Sequence, residues 1–331
     1  MQILEIVELE TVKMQVSQAL LLIEVELIVF DRTGEPSQFT LPDGYGPNDL
    51  SIRAELEQHC RCVIVTDDFS YFYNPHPDIV FFPYNIWLPA TRGVHKYYQF
   101  QHTVYDTVLE KTKPIMCLNR NLMWHRLFLF LNLIECSWLD QVEYSFINTL
   151  DRMNVNFLKR DLTEFEIEKI KSYSDRFPIR LKSEPRTHRV QVDYSSGANS
   201  VNIPVYEHNA INLVTETSVN HGIVLTEKTA KIFMAYQIPI LIAAAGANQF
   251  LQDVGLDMFS DYIPWKTWDQ LADHKVKIIK IVEFLQDLMT SPDDILKTHQ
   301  QFHARLMQNK QYFHSEEFAK ILTDQIRNFK L

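Results

Sequence analysis

Two short segments carry residue types whose spacing suits the handling of an anion. Glu216 closes an apolar run, Ile211-Asn212-Leu213-Val214-Thr215, that reads as a strand, and Thr217 follows it. About ten residues later Thr226-Glu227-Lys228 opens a helix-like run. Thr226 suits the N-cap, where its oxygen meets free N–H groups of the first turn. Glu227 in the first turn suits the helix dipole, whereas Lys228 at the second helical position opposes it. A phosphate held jointly by Lys228 and the helix N–H groups would compensate that lysine, with Glu227 accepting from ribose hydroxyls. The plainer reading is a capped helix with a solvated lysine. The other segment is Leu118-Asn119-Arg120-Asn121-Leu122-Met123-Trp124-His125-Arg126. Arg120 lies just past a strand end, facing the crevice where open α/β sheets bind ligands. Its planar fork matches a diphosphate. His125 and Arg126 fall in an apolar helix, where an unpaired charge is expensive. The alternative pairs Arg120 with a carboxylate and leaves His125 and Arg126 covering the end of a bundle.

The elements that must position these groups read as alternating strands and helices. After the Thr-Glu-Lys helix comes an apolar strand over 239–245 with Gly246 at its exit. Upstream, residues 115–118 and 142–146 read as strands and 122–135 as a helix apolar nearly all round, hence buried. Residues 161–175 read as an amphipathic helix with Leu162, Phe165, Ile167 and Ile170 inward. Residues 178–200 are polar and irregular, and 278–289 and 295–307 read as amphipathic helices. Nearer the N-terminus, 19–23, 25–30, 62–65 and 78–83 read as strands and 51–58 as helical. Short buried strands separated by helices predict a parallel sheet and an α/β fold. Thr112-Lys113-Pro114 starts a second unit, which divides the chain into 1–112 and 113–331.

A chain of 331 residues has room for about two domains. Hydrophobic residues at 46% against 22% charged are enough for a sizeable core. The net charge of −10 argues against broad contact with nucleic-acid phosphates. A local basic groove from Arg180, Lys182, Arg186, His188 and Arg189 stays open, against a solvated loop. Glycine is scarce and no Gly-rich phosphate loop is present; Gly44-Tyr45-Gly46 reads as a turn. His59-Cys60-Arg61-Cys62 resembles half a zinc site, but no second pair follows at zinc spacing. Cys60, Cys62, Cys117 and Cys136 therefore read as reduced thiols of a cytoplasmic protein, and no metal is expected. The longest apolar stretch, 19–30, is interrupted by Glu24 and Glu26, so no transmembrane segment is expected.

Taken in order, Asn119-Arg120, His125-Arg126, Glu216-Thr217 and Thr226-Glu227-Lys228 resemble a motif series of the α-1,3-fucosyltransferase-like glycosyltransferases and their viral and bacterial relatives. Pro239-Ile240, Gly246 and Gly255-Leu256-Asp257-Met258-Phe259 extend the likeness, which covers roughly residues 114–290. The resemblance implies a GT-B-like α/β architecture: two Rossmann-like domains with a cleft between them. It implies a nucleoside-diphosphate sugar as co-substrate, no cofactor, and inversion at the anomeric carbon without an essential metal. It places Lys228 and Arg120 on the diphosphate, Glu227 on the ribose and Glu216 near the sugar or nucleotide. The acceptor, a glycan or other hydroxyl compound, needs a general base from the N-terminal unit. Asp68 and Asp67, after the 63–65 strand, come first, then Asp31; each also suits an Asx turn. The chain departs from the family at Thr217, where Asn is usual. It also lacks an acidic residue near Pro264-Trp265-Lys266, for which Asp269 can stand in. Tyr71, Phe72, Tyr73, Tyr84 and Trp87 could stack on a sugar or base, or fill a core. Two other readings remain: a phage-type DNA-base glycosyltransferase, with nucleic acid as acceptor, and a non-catalytic nucleotide-binding scaffold.

Overall fold

The computed structural model describes the backbone of residues 2–6, 25–32, 61–66 and 79–81. It describes backbone and side chains at 110–119, 121–136, 141–146, 148–150, 155–179, 204–217, 219 and 222–321, with backbone alone at 157, 204 and 205. Arg120, Asp67, Asp68, the Arg180 to Arg189 run, Cys60, the five N-terminal aromatics and the segments 19–23 and 51–58 lie outside these residues.

Two four-stranded parallel sheets lie among the described residues, which makes the chain an α/β protein. The first holds β1 (Gln2–Ile6), β2 (Val25–Arg32), β3 (Arg61–Thr66) and β4 (Ile79–Phe81) in the order β1-β2-β3-β4. Three of these strands fall where apolar runs predict them; β1 does not, because Gln2 and Glu5 interrupt its apolar pattern. The second holds β5 (Lys113–Asn119), β6 (Glu143–Phe146), β7 (Asn209–Thr215) and β8 (Ile238–Ile242) in the order β6-β5-β7-β8. Register pairs Ile115 with Ile211 and Val214 with Leu241. A parallel sheet is covered on both faces, so its strands read as unbroken apolar runs. Accordingly every residue of β7 and β8 is buried.

Nine α-helices lie among the described residues: α1 (Trp124–Glu135), α2 (Val155–Leu158), α3 (Glu164–Lys171), α4 (Pro204–His208), α5 (Glu227–Met234), α6 (Ala247–Asp253), α7 (His274–Leu288), α8 (Pro292–Gln301) and α9 (His303–Phe313). None is long and apolar enough to cross a membrane. The helix predicted over 161–175 is shorter and differently faced. Thr163 is its N-cap and shares a capping box with Glu166, and Leu162 and Ile167 on either side are both buried, as in a hydrophobic staple. Phe165, expected inside, is 74% exposed. It stands two residues, about 200° of helical turn, from Ile167 and so points away from the core. The helix predicted over 295–307 is two helices, α8 and α9, broken at Phe302, whose ring meets Phe259 and Tyr262. The short helix α6 follows Gly246, whose φ of 83° lies in the left-handed region.

Candidate functional site

The order β6-β5-β7-β8 reverses direction between β5 and β7: the chain leaves β5 through α1 to one neighbour and later returns to the other side. Open α/β sheets bind ligands in the crevice beyond the strand C-termini at such a reversal. Asn119 ends β5 and Thr215 ends β7. The Thr215 hydroxyl donates to Asn119 Oδ1 across that seam, and Asn119 Nδ2 lies 3.3 Å from Cys117 Sγ.

Glu216, the next residue after β7, is fully buried. Its Oε1 accepts from the Thr226 backbone N–H at 2.9 Å and the Thr229 hydroxyl at 2.6 Å; its Oε2 accepts from the Thr226 hydroxyl at 2.7 Å. The strand end is thereby tied to the first turn of α5. In an ordinary capping box the acid comes from the helix itself. Here the strand supplies it, and Thr229, three residues after Thr226, supplies a hydroxyl. Thr226 is the N-cap, as its sequence position predicts, with its oxygen 3.4 Å from the Lys228 N–H. Glu227, in the first turn and half-buried, precedes Lys228.

Lys228 stands at the second helical position, as predicted, and an internal anion answers it. Its Nζ lies 3.8 Å from Glu216 Oε2 and donates to the Thr217 hydroxyl at 3.1 Å. The side chain keeps 23% of its exposure. Burial and then Arg126 lower its pKa, while Glu216 and Glu227 work to keep the charge on. Lys231, one turn on, is pushed down to about 8 by burial.

His125 and Arg126 reach the same point from α1. His125 Nε2 donates to the Glu216 carbonyl at 2.9 Å. A carbonyl only accepts, so the proton sits on Nε2 and Nδ1 carries a lone pair. Burial, then the charge of Arg126, holds the pKa of His125 well below its ordinary value, so the ring is neutral. Arg126 Nη2 donates to the carbonyls of Thr215 and Glu216 at 3.3 and 3.2 Å, and Nη1 to Asn121 at 3.4 Å. Arg126 Nε and His125 Nδ1 are buried with no partner among the described residues. The two basic residues of the buried helix are thus met chiefly by backbone carbonyls, the partners that α1 requires to bury them.

The structure therefore gathers His125, Arg126, Glu216, Thr217, Thr226, Glu227 and Lys228 where the carboxyl end of β7 meets the first turns of α1 and α5. Asp31 lies at position seven of β2, opposite Val65. Asp269 turns away from the crevice: its carboxylate accepts from the backbone N–H groups of Asn248 and Gln249 at 3.1 and 3.0 Å, so it serves α6. Thr215 and Thr229 were not singled out by sequence. Their only signal was a hydroxyl within an otherwise apolar strand and helix face. Among the described residues no group of three or more His, Cys, Asp and Glu side chains is arranged to hold a metal ion. Comparison with protein-family models, curated proteins and solved structures finds no match to the chain.

Proposed function

We propose that the chain is a glycosyltransferase that takes its sugar from a nucleoside-diphosphate donor. The observation that carries this reading is the placement of Lys228 at the amino end of α5, beside the strand reversal between β5 and β7. A helix N-terminus offers oriented N–H groups to an anion, and an ammonium at its second position adds charge at the same point. The diphosphate would lie against Lys228 and the first turn of α5, with Arg120 as the second cation and Glu227 toward the ribose. When the bond to the anomeric carbon breaks, negative charge grows on the leaving diphosphate. Fixed cations and N–H groups stabilise that charge without reorganising. A carboxylate from the N-terminal unit (Asp68, Asp67 or Asp31) would take the proton of the acceptor hydroxyl as that oxygen attacks. A GT-B-like pair of Rossmann-like domains would bring the two halves of this chemistry together.

Thermal melting in the presence of UDP, GDP, CMP and their sugars tests the donor side. A ligand at 100 times its dissociation constant adds about 2.7 kcal/mol of stability. At least one nucleoside diphosphate is expected to raise the melting temperature, and Lys228→Ala is expected to remove most of that shift. If no nucleotide stabilises the protein, the donor assignment is wrong. A second reading, binding without turnover, is favoured by the full internal engagement of the Glu216 carboxylate. Release of free nucleotide from a sugar donor separates the two: the transferase releases it, and the scaffold does not.

A further inference from the structure

The lysine that would hold the diphosphate already has an anion. Glu216 Oε2 lies 3.8 Å from Lys228 Nζ, and the Thr217 hydroxyl holds the same ammonium at 3.1 Å. The carboxylate belongs to a fully buried residue anchored by three hydrogen bonds from Thr226 and Thr229, so it cannot withdraw when a ligand arrives. Lys228 is the mobile partner, with a flexible stem on a side chain that keeps 23% of its exposure. From these contacts we infer that Glu216 is a built-in competitor for Lys228. It parks the ammonium at the crevice and weakens the hold on a bound diphosphate, so that the spent nucleotide leaves.

Two electrostatic effects point the same way. A ligand that takes Lys228 must break the contacts of that ammonium with Glu216 and Thr217. It also comes to rest within a few ångströms of a carboxylate of its own sign, in surroundings that screen far less than water. The group that fixes the first turn of α5 for an anion therefore also limits how tightly the anion binds. Product release sets the turnover of many enzymes, which makes such a limit useful.

This inference rests on the donor-site reading above, and the test separates the two. Inorganic pyrophosphate serves as probe, titrated calorimetrically into the full chain as wild type, Lys228→Ala, Glu216→Gln and Thr217→Val. Glu216→Gln keeps the shape of the side chain and removes its charge. It is expected to lower the melting temperature, since a buried acceptor set is disturbed, yet to bind pyrophosphate roughly tenfold more tightly. A purely structural Glu216 predicts the opposite sign, weaker binding along with weaker folding. Should Glu216→Gln not fold, Thr217→Val removes the hydroxyl that helps park Lys228 on a partly exposed residue. It is expected to tighten binding by roughly two- to threefold, on the scale of one modest hydrogen bond. If wild type binds pyrophosphate and Lys228→Ala abolishes binding, but neither Glu216→Gln nor Thr217→Val tightens it, the competitor role is overturned and the site stands. If pyrophosphate does not bind wild type, or Lys228→Ala leaves binding unchanged, the site and the inference fall together.

Discussion

At the scale of single residues, the crevice is built from groups that would be costly anywhere else in a core. His125 shows how the cost is contained. Its Nε2 proton goes to the Glu216 carbonyl, and only a lone pair is left on Nδ1. Protonating that ring would put a second charge beside Arg126 at a buried position, where desolvation disfavours the charged form. His125 is therefore expected to stay neutral in the folded protein well into acid. Its ring resonances in a ¹H–¹⁵N spectrum should hold steady between pH 8 and 5, with Nε2 as the protonated nitrogen. A titration near pH 6.5 would show that the ring is solvated and the crevice is open to water there. The oddness of Lys228 was legible in the sequence, because a cation at the second helical position violates the dipole preference on its face. Its answer was not legible. Glu216 reaches α5 by closing a loop of about ten residues, and such a contact has no local signature. Arg126 posed the same problem: its acceptors are the carbonyls of Thr215 and Glu216, some ninety residues on.

Elements were read most reliably where burial on both faces leaves an unbroken apolar run. β7 and β8 announce themselves in this way, and so does α1, since a helix apolar all round has nowhere to go but inside. Amphipathic segments were read less well. Phe165 is expected inside with Leu162, Ile167 and Ile170, whereas the period set by Ile167 and Ile170 puts it outside. The short helix α6 gave almost no signal, because its cap lies elsewhere in the chain. Gly246 at its N-cap has no side chain to offer. Asp269 supplies the acceptor from about twenty residues away, taking the N–H groups of Asn248 and Gln249 and the Asn248 side-chain amide at 2.7 Å. Asp269→Ala is expected to cost about 2–3 kcal/mol in urea unfolding, the sum of a lost cap and buried donors left unpaired. Asp269→Asn, which keeps one acceptor oxygen, should cost about half as much. A loss below about 0.5 kcal/mol for the alanine variant would mean that α6 is held by its packing and not by this carboxylate.

At the scale of the molecule, an acidic chain encloses a set of buried bases. Lys111 donates to the carbonyls of Tyr206 and Ala235 at 2.9 and 3.0 Å, so that it closes the carboxyl end of α5. Lys277 donates to those of Ala243 and Asp269, both at 3.0 Å. Burial pulls Lys111 down to about 7, and Lys277 and Lys231 to about 8. His299, whose Nε2 meets the Tyr236 carbonyl at 2.7 Å, is pulled down to about 4. A base with a lowered folded-state pKa binds fewer protons folded than unfolded between its two pKa values. Stability therefore rises with pH across that window. For His299 the window runs from about 4 to 6.5, and for the three lysines from 7 or 8 to 10.5. Each group adds up to about 1.4 kcal/mol per pH unit within its window. Burial acts oppositely on acids: Cys117 is pushed up to about 12, and Tyr144 and Tyr206 also rise. Above pH 9 to 10 the unfolded chain loses those protons while the folded one keeps them, and stability falls. Between pH 7 and 9 the lysine windows act before the thiol and phenols do, so stability is expected to rise there even though the net charge of −10 at neutrality grows with pH. Urea unfolding measured from pH 6 to 11 should show this climb. Lys111→Met should raise stability at pH 6 and flatten the rise between pH 7 and 9. A wild-type stability that declines steadily from pH 7 to 9 would mean that these lysines keep their charge at little cost in the folded protein, and that burial does not lower them.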